Sequence, residues 1–504
     1  MISLREAKEF SKNYGVIPIV ESVFSGTETP LSIFEKLASS KPGSFLLESA
    51  EQGVWSRYSF VGVRNVGFLV STEDAGLKWM NLNSDAPSGM SQINLDTLSG
   101  FDALELLQSR WRAAPVRNLP PLVSGMVGLM GWDTIHQLEN LGPPKPKEFA
   151  MPDLAMAIIQ DMVIVDHSDS SLKLVSNIYL DESQDIEQQY NAALERIRHM
   201  KTGLLSSSLP FIAEVDLTAE PNFDRRTSDA EFKDIINAAK DHVIIGDVFQ
   251  VVVSQRFDIA TEASALDVYR MLRALNPSPY MYLLNFLDDR GEFAVVGSSP
   301  EALVRVSSGR AVLHPIAGSR PRGGSIEADA ALAAELATDE KEKAEHLMLV
   351  DLARNDLLKV CEPNSVAVTE FMAIERYSHI MHLVSTVEGE IRNGASAVEV
   401  VKATFPAGTL SGAPKPRALE IIEDLEPVSR GLFGGVVGYF DFAGNADLAI
   451  AIRTAVIRDG KAYVQAGAGI VLDSDPESEN QETLSKASAP LRAVYAANNM
   501  KRFS

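Results

Sequence analysis

Residues 280–314 read YMYLLNFLDDRGEFAVVGSSPEALVRVSSGRAVLH, and this stretch decides the fold class. Apolar runs near 280–287, 293–297, 301–306 and 311–314 are separated by turn-forming clusters, which predicts four short strands in a meander. Helical patterns lie on both sides. Upstream, Ser228-Asp-Ala-Glu231 fits a capping box that opens a helix to about residue 245. A Val- and Phe-rich strand follows at 248–257, then a helix at 264–275 that stops at Asn276-Pro-Ser-Pro279. Downstream, a long helical stretch covers about 327–359, and further strands are expected near 382–390, 434–442, 448–457 and 461–466. Strands come in groups with long helices between them, not in strict βαβ alternation. That pattern predicts an α+β, mixed α/β fold and argues against Rossmann and TIM architectures.

The first part of the chain has a different texture. Turn-rich stretches at Asn81–Gly89 and Gly142–Lys147 flank a helical pattern at Phe101–Trp111. Residues 154–165 and 172–180 read as a strand pair around the turn Asp166-His-Ser-Asp-Ser-Ser171. Residues 203–222 lack pattern and read as a connector, so the expected division is an N-terminal domain at 1–222 and a second domain at 223–504.

The 504 residues carry 46 Lys and Arg against 68 Asp and Glu, a formal charge of −22. That balance argues against nucleic acid or an anionic membrane as partner, because both need a basic face. A local Arg can still hold an anionic substrate. No apolar run reaches the roughly 18 residues of a membrane helix, and the start shows no signal-peptide pattern. The single cysteine, Cys361, cannot form an internal disulfide. A reducing, cytoplasmic location is expected.

Several chemistries are excluded by absence. There is no P-loop, and Gly467-Ala-Gly469 lacks the rest of a dinucleotide fingerprint. Gly408-Thr-Leu-Ser-Gly412 places its serine one position late for a nucleophile elbow. Cys361 has no activating context and reads as a small buried hydrophobe. His379 and His382 form H-x-x-H, but no further ligand stands at zinc spacing.

What remains is suggestive. Glu342 and Glu345 share one helix face, as do Glu479 and Glu482. The four are either solvated acidic faces or a clamp for a hard divalent cation. Small-residue segments at 315–323, 408–414 and 465–470 are either tight turns or places where backbone approaches a ligand. Arg453, in the apolar run 449–455 read as one strand, either meets an internal carboxylate or clamps a ligand carboxylate.

Taken together, these segments resemble the chorismate-utilising enzymes, and among them the component I (large subunit) family of anthranilate synthases. The segments that carry the resemblance are LNPSPYMY (275–282), GSSPE (297–301), PIAGSRPRG (315–323), EHLMLVDLARND (345–356), YSHIMHLVSTVEGE (377–390), GTLSGAPKPRALEII (408–422), GGVVGYF (434–440), AIRTAV (451–456) and QAGAGIVLDSDPESENQET (465–483). The resemblance implies two large β-sheets flanked by helices, with the N-terminal part packed on a C-terminal chorismate-binding core. It implies amination of chorismate by ammonia, loss of the 4-hydroxyl and elimination of pyruvate.

By the same resemblance Mg²⁺ is the cofactor, with Glu345 and Glu482 as metal ligands and Glu342 and Glu479 behind them or acting through water. Arg453 and the backbone of Gly467, Ala468 and Gly469 would hold the pyruvyl carboxylate. Gly318 and Ser319 would line the ring pocket, with Thr409 nearby; Ser319 stands where Thr is usual and keeps the hydroxyl. Glu301 is the acid expected for the departing hydroxyl, and His382 the group for the proton transfers of elimination. Phe433 occupies a place where some members have a substrate-contacting Tyr.

Relatives that add water carry a Lys where this chain has Gln250, and aminodeoxychorismate synthases a Lys where it has Ala317. Free ammonia as nucleophile fits both absences. The resemblance implies a separate glutamine amidotransferase subunit, forming a heterotetramer. It also implies feedback inhibition by tryptophan at Ser49, Pro279, Tyr280 and Met281. The competing readings are an aminodeoxyisochorismate synthase, against which His382 argues, an aminodeoxychorismate synthase, and a non-catalytic tryptophan-binding subunit.

Overall fold

A computed structural model describes residues 1–39, 41–50, 57–73, 76–82, 93–181, 183–207, 211–376 and 380–503. The meander at the centre of the sequence forms as strands Tyr280–Asp288, Gly291–Ser299, Ala302–Ser307 and Arg310–Leu313. The capping box also forms: Ser228 Oγ accepts from the Glu231 amide at 3.3 Å, and the helix runs Asp229–Ile244.

Two expected elements are divided. The helical stretch at 327–359 is two helices, Ile326–Thr338 and Glu340–Leu358. Asp339 ends the first and caps the second, accepting from the amides of Lys341 at 3.0 Å and Glu342 at 3.2 Å. An aspartate that bonds its neighbours' amides offers the backbone an alternative to continuing the helix. The strand expected at 448–457 is also two, Ala446–Ile450 and Thr454–Arg458. Arg453 therefore lies outside any strand, with φ +51°, a left-handed conformation costly for a residue with a side chain. Two strands gave no period-2 apolar signal: Ile316–Pro321 and Ala367–Arg376.

The strand Leu154–Asp166 pairs with Tyr58–Ser71, and two runs of antiparallel strands leave this pair. One passes through Gly125–Met130, Val436–Asp441, Ala446–Ile450 and Ala302–Ser307 to Arg310–Leu313 and Ile380–Glu390, which also pairs with Ile316–Pro321. The other passes through Phe45–Glu48, Tyr280–Asp288, Gly291–Ser299, Thr454–Arg458 and Lys461–Ile470 to Gln250–Ala260. Hydrogen bonds link both runs into one network of 21 strands among the described residues. Strands from before residue 222 form one contiguous block in it, which meets the later strands where Gly125–Met130 pairs with Val436–Asp441 and where Phe45–Glu48 pairs with Tyr280–Asp288.

The core is layered accordingly. Phe60, Phe68, Val127, Leu284, Phe293 and Val437 belong to a cluster that draws on both runs and lies between them. A second cluster joins the first run and part of Gln250–Ala260 to helices at 100–110, 229–244, 340–358 and 415–425. A third joins the second run to helices at 186–204, 265–275 and 476–499. Two sheets flanked by helices follow. The buried Arg430–Glu426 pair, 2.7 Å apart, ties the segment carrying Leu410 to strand Gln250–Ala260, because Arg430 also donates to the carbonyls of Leu410 and Val252. Cys361 is fully buried and its thiol is pushed up by burial, so it is part of the core.

Candidate active site

The strand Ile316–Pro321 slips register between Ala317 and Ser319, which leaves Gly318 as a bulge opposite His382 and Leu383. Gly318 has φ +71°, and a Cβ there would stand 3.0 Å from Glu342 Oε2. Glycine thus allows the carboxylate to come against the strand. The Gly318 carbonyl lies 3.1 Å from His382 Nδ1. A carbonyl only accepts, so Nδ1 carries the hydrogen and the lone pair is on Nε2. Burial lowers the His382 pKa, so the ring is neutral near pH 7, as a base requires. Its partner in the H-x-x-H pattern, His379, lies outside the described residues.

The two acidic pairs stand near the starts of helices Glu340–Leu358 and Pro476–Asn499. Glu345 Oε1 accepts from Gln250 Nε2 at 3.2 Å. Burial first, and then the charges of Glu342 and Glu482, push the Glu345 carboxyl up. Glu479 is pushed up by burial and by Glu482. Carboxylates from two helices therefore share one electrostatic space. No group of three or more His, Cys, Asp or Glu side chains converges as a metal cage among the described residues. The donor set suits Mg²⁺ nonetheless, which takes one or two carboxylates and fills the rest with water and substrate oxygens.

The strand Lys461–Ile470 pairs with Gln250–Ala260 along its whole length, but with Thr454–Arg458 only from Lys461 to Val464. From Gln465 to Ile470 one edge of the strand is open in this pairing, and this is where Gly467, Ala468 and Gly469 lie. Arg453 sits at the break that opens it. Its backbone is pinned by the Ser298 amide, which donates to the Arg453 carbonyl at 3.2 Å. Among the described residues its guanidinium makes no hydrogen bond or ion pair, and burial brings its pKa down to about 10 against the opposing pull of Glu482. A guanidinium desolvated without a partner, beside open backbone amides, is prepared for a carboxylate. Phe433 is buried beneath: a Cβ at Gly467 would stand 3.3 Å from its ring. A Cβ at Gly469 would stand 2.6 Å from Gln250 Nε2, so only glycine leaves the Gln250–Glu345 bond in place.

Glu301 follows strand Gly291–Ser299, and its backbone carbonyl accepts from the Ile450 amide at 3.0 Å. Thr409, on the short helix Gly408–Ser411, donates to Glu301 Oε1 at 3.0 Å. Burial raises the Glu301 pKa from its ordinary 4.5 to about 7, with Thr409 and Lys486 pulling the other way. A carboxyl half-protonated near neutrality is matched to general acid work.

The electrostatic partners connect these parts. The charge of Lys486 reaches Glu301, and its ammonium lies 2.5 Å from Glu482 and 3.0 Å from the Gly467 carbonyl. The charge of Glu482 reaches Arg453, and that of Arg453 reaches His382. Lys486 was not singled out in the sequence, although it stands four residues from Glu482, where a helix brings side chains together. Arg320 was missed as well. It bridges Glu335 at 2.9 Å, Asp339 at 2.8 Å and Glu342 at 3.3 Å, and donates to the Ser319 carbonyl at 2.9 Å. Its partners are 15 to 22 residues away in sequence, so no local signal announces them.

The residues expected at the tryptophan site also meet. Strand Phe45–Glu48 pairs with Tyr280–Asp288, setting Glu48 opposite Met281, and the Ala50 amide donates to the Ser278 carbonyl at 3.1 Å. Ser49 therefore lies beside the Pro279 turn. Met281 is buried, and Tyr280 donates to Asp447 Oδ1 at 2.9 Å.

A family profile described as chorismate binding enzyme matches residues 46–492. The chain is 46% identical over 507 aligned residues to anthranilate synthase component 1 of Arthrobacter globiformis, covering 99% of this chain and 93% of that protein. It is 45% identical to the protein of the same name from Mycolicibacterium smegmatis, covering 98% and 94%. A crystal structure of anthranilate synthase component I from Streptococcus pneumoniae superposes with a TM-score of 0.75 at 31% identity, covering 94% of this chain and 99% of that one. Family profile, full-length relatives and fold agree with one another, and the chain belongs to the family of chorismate binding enzymes.

Proposed function

We propose that this chain is the large subunit of an anthranilate synthase, converting chorismate and ammonia to anthranilate, pyruvate and water. The observation that carries this reading is the pairing of a buried acid, Glu301, its pKa raised to about 7, with the absence of Lys at positions 250 and 317. Gln250 is bonded to Glu345 where water-adding relatives have Lys, and Ala317 stands where a covalent Lys would be.

Arg453 and the open edge at Gly467–Gly469 bind the enolpyruvyl carboxylate and fix the ring against Gly318 and Ser319. Ammonia forms the new bond at ring carbon 2 as the carbon 4–oxygen bond breaks. Glu301 gives its proton to the departing hydroxyl, which leaves as water, and the added nitrogen releases a proton to solvent, so the count of protons balances. Neutral His382, held through Nδ1 by the Gly318 carbonyl, takes the ring proton at carbon 2 through Nε2 as the ring carbon–ether oxygen bond breaks with its electron pair on oxygen, and the departing enolpyruvate takes one proton at its methylene carbon to become pyruvate. Glu345 and Glu482 would hold Mg²⁺, with Glu342 and Glu479 behind them, and the bound ion would supply polarisation of the ring carboxylate. Arg320 and Asp339 fix Glu342 at the start of its helix, and Gln250 orients Glu345.

The ammonia is supplied from glutamine by a separate amidotransferase subunit, in a heterotetramer. Tryptophan binds at Ser49, Pro279, Tyr280 and Met281 and inhibits. The reaction belongs to the first committed step of tryptophan biosynthesis and to the cytoplasm; no helix among the described residues is long and apolar enough to cross a membrane.

The test is product analysis of the purified chain with chorismate, Mg²⁺ and ammonium, with and without tryptophan. Anthranilate and pyruvate in equal amounts, suppressed by tryptophan, are expected. An amino-chorismate product without pyruvate moves the assignment to an aminodeoxy synthase. Tryptophan binding without turnover leaves a regulatory subunit.

A further inference from the structure

Behind Glu301 lies a cavity that shares only Glu301 and Thr409 with the substrate site. None of Gly318, Ser319, His382, Phe433, Arg453, Gly467, Glu345 or Glu482 lines it. The hydrogen-bonded Glu301–Thr409 pair therefore belongs both to the cavity lining and to the residues assigned to the substrate site. The cavity is also lined by Leu349 and Ala353 of helix Glu340–Leu358, and by the polar groups of His314, Thr404 and Asp356. Asp356 is already ion-paired to Lys415 at 2.8 Å and Lys359 at 2.9 Å. Its charge is neutralised on the spot, so it does not force a second ion into the cavity.

Room for water-sized molecules in the cavity is about 50 Å³. At about 10–15 Å³ of such room per molecule, that is space for at least three waters. A space lined by a carboxyl, hydroxyls and an imidazole offers each water the two to four polar partners it needs, whereas an apolar void of that size stays dry. Water is a ligand that this polar lining suits.

We propose that this cavity is the discharge site for the leaving hydroxyl. The oxygen released from ring carbon 4 departs as water past Glu301 into the cavity, away from the attacking nitrogen, and waters there return a proton to the Glu301 carboxylate for the next cycle. This rests on the amination reading above. In the step, the carbon 4–oxygen bond breaks with its electron pair going to oxygen, the Glu301 proton makes that oxygen water, and the carboxylate takes back one proton from the water chain. No oxidant or further reactant is needed. Removing the product water from the ring face prevents its return, which is the reverse of the forward displacement.

Two measurements test it. A high-resolution crystal structure of the full chain is expected to show ordered waters in the cavity, one of them hydrogen-bonded to Glu301. A dry cavity overturns the proposal whatever the enzyme's activity. Second, Ala353 is buried and lines the cavity, so Ala353→Leu fills it, while Ala353→Ser leaves the space and adds a hydroxyl. The Leu variant is expected to lose kcat by about tenfold or more, a barrier change of about 1.4 kcal/mol, with the KM for chorismate within about twofold of the parent. The Ser variant is expected to keep kcat. Equal loss in both variants, or a rise in KM alone, overturns the discharge role and assigns Ala353 to helix packing. A parent enzyme that makes no aminated product overturns the amination reading, and with it the role of the cavity. An active parent with a dry cavity overturns only this inference.

Discussion

Replacing Glu301 by Gln should stabilise the protein while removing its activity, and both effects should follow the same titration. The carboxyl is held by burial at a pKa of about 7 against an ordinary 4.5. The folded state therefore binds protons more tightly than the unfolded state between these values, and stability falls as pH rises through that window. At pH 8 the shift of roughly 2.5 units costs about 3 kcal/mol, while at pH 5 the same linkage leaves about 1 kcal/mol. Gln carries no charge to bury and can still accept from Thr409. The stability difference, Gln variant minus parent, should accordingly grow by about 2 kcal/mol from pH 5 to pH 8. Denaturation at the two pH values, with tryptophan absent, reads this directly. Activity should move the other way. Loss of a positioned acid typically costs about 10²–10⁴ in kcat. In the parent, kcat at fixed free ammonia should fall about tenfold per pH unit above about 7. A Gln variant with no pH-dependent gain in stability would show that Glu301 is not held neutral. A parent whose kcat is flat from pH 6 to pH 9 would refute the acid role even if the stability result held.

Three other substitutions examine the rest of the site. Arg453→Gly keeps a residue suited to φ +51° but removes the guanidinium; the KM for chorismate should rise by about 10² or more, and thermal stability should hold or improve. Gly469→Ala places a methyl 2.6 Å from Gln250 Nε2, so Gln250 must leave Glu345; the Mg²⁺ concentration for half-maximal rate should rise severalfold, and titration of Mn²⁺ by spin resonance checks the affinity without turnover. Met281→Ala opens a hole in the buried strand beside Ser49; tryptophan inhibition, measured as the ratio of inhibited to uninhibited rate, should weaken about tenfold or more, with a stability loss of about 2–5 kcal/mol.

Much of this molecule is written in local sequence. The meander at 280–314, the capping box at Ser228 and the stop at Asn276–Pro279 each form as their residues predict, because turn chemistry and caps act over three or four positions. The net charge argued against a nucleic-acid partner, and the short apolar runs against a membrane helix. The motifs brought the family, and with it Glu301, His382, Arg453 and the two acidic pairs.

Other features depend on partners remote in sequence. Asp339 divides a helix whose periodicity runs on through it, since a cap competes with propagation in a way that apolar spacing does not record. Arg453 sits in an apolar run, yet its left-handed φ breaks the strand and opens the sheet edge, because Ser298 holds its carbonyl from a neighbouring strand. Whether the acidic pairs were solvated faces or a clamp was open in the sequence; folding sets Glu345 against Gln250 and within the field of Glu482, some 137 residues further on, as 482 − 345 gives. Sequence by itself determined which residue types are present and which short elements they form. Tertiary structure alone decided that the Glu301 pKa is raised to about 7, that Arg453 lacks an internal partner among the described residues and that a cavity adjoins the acid. Desolvation and long-range charge are properties of the assembled surroundings, and no stretch of chain contains them.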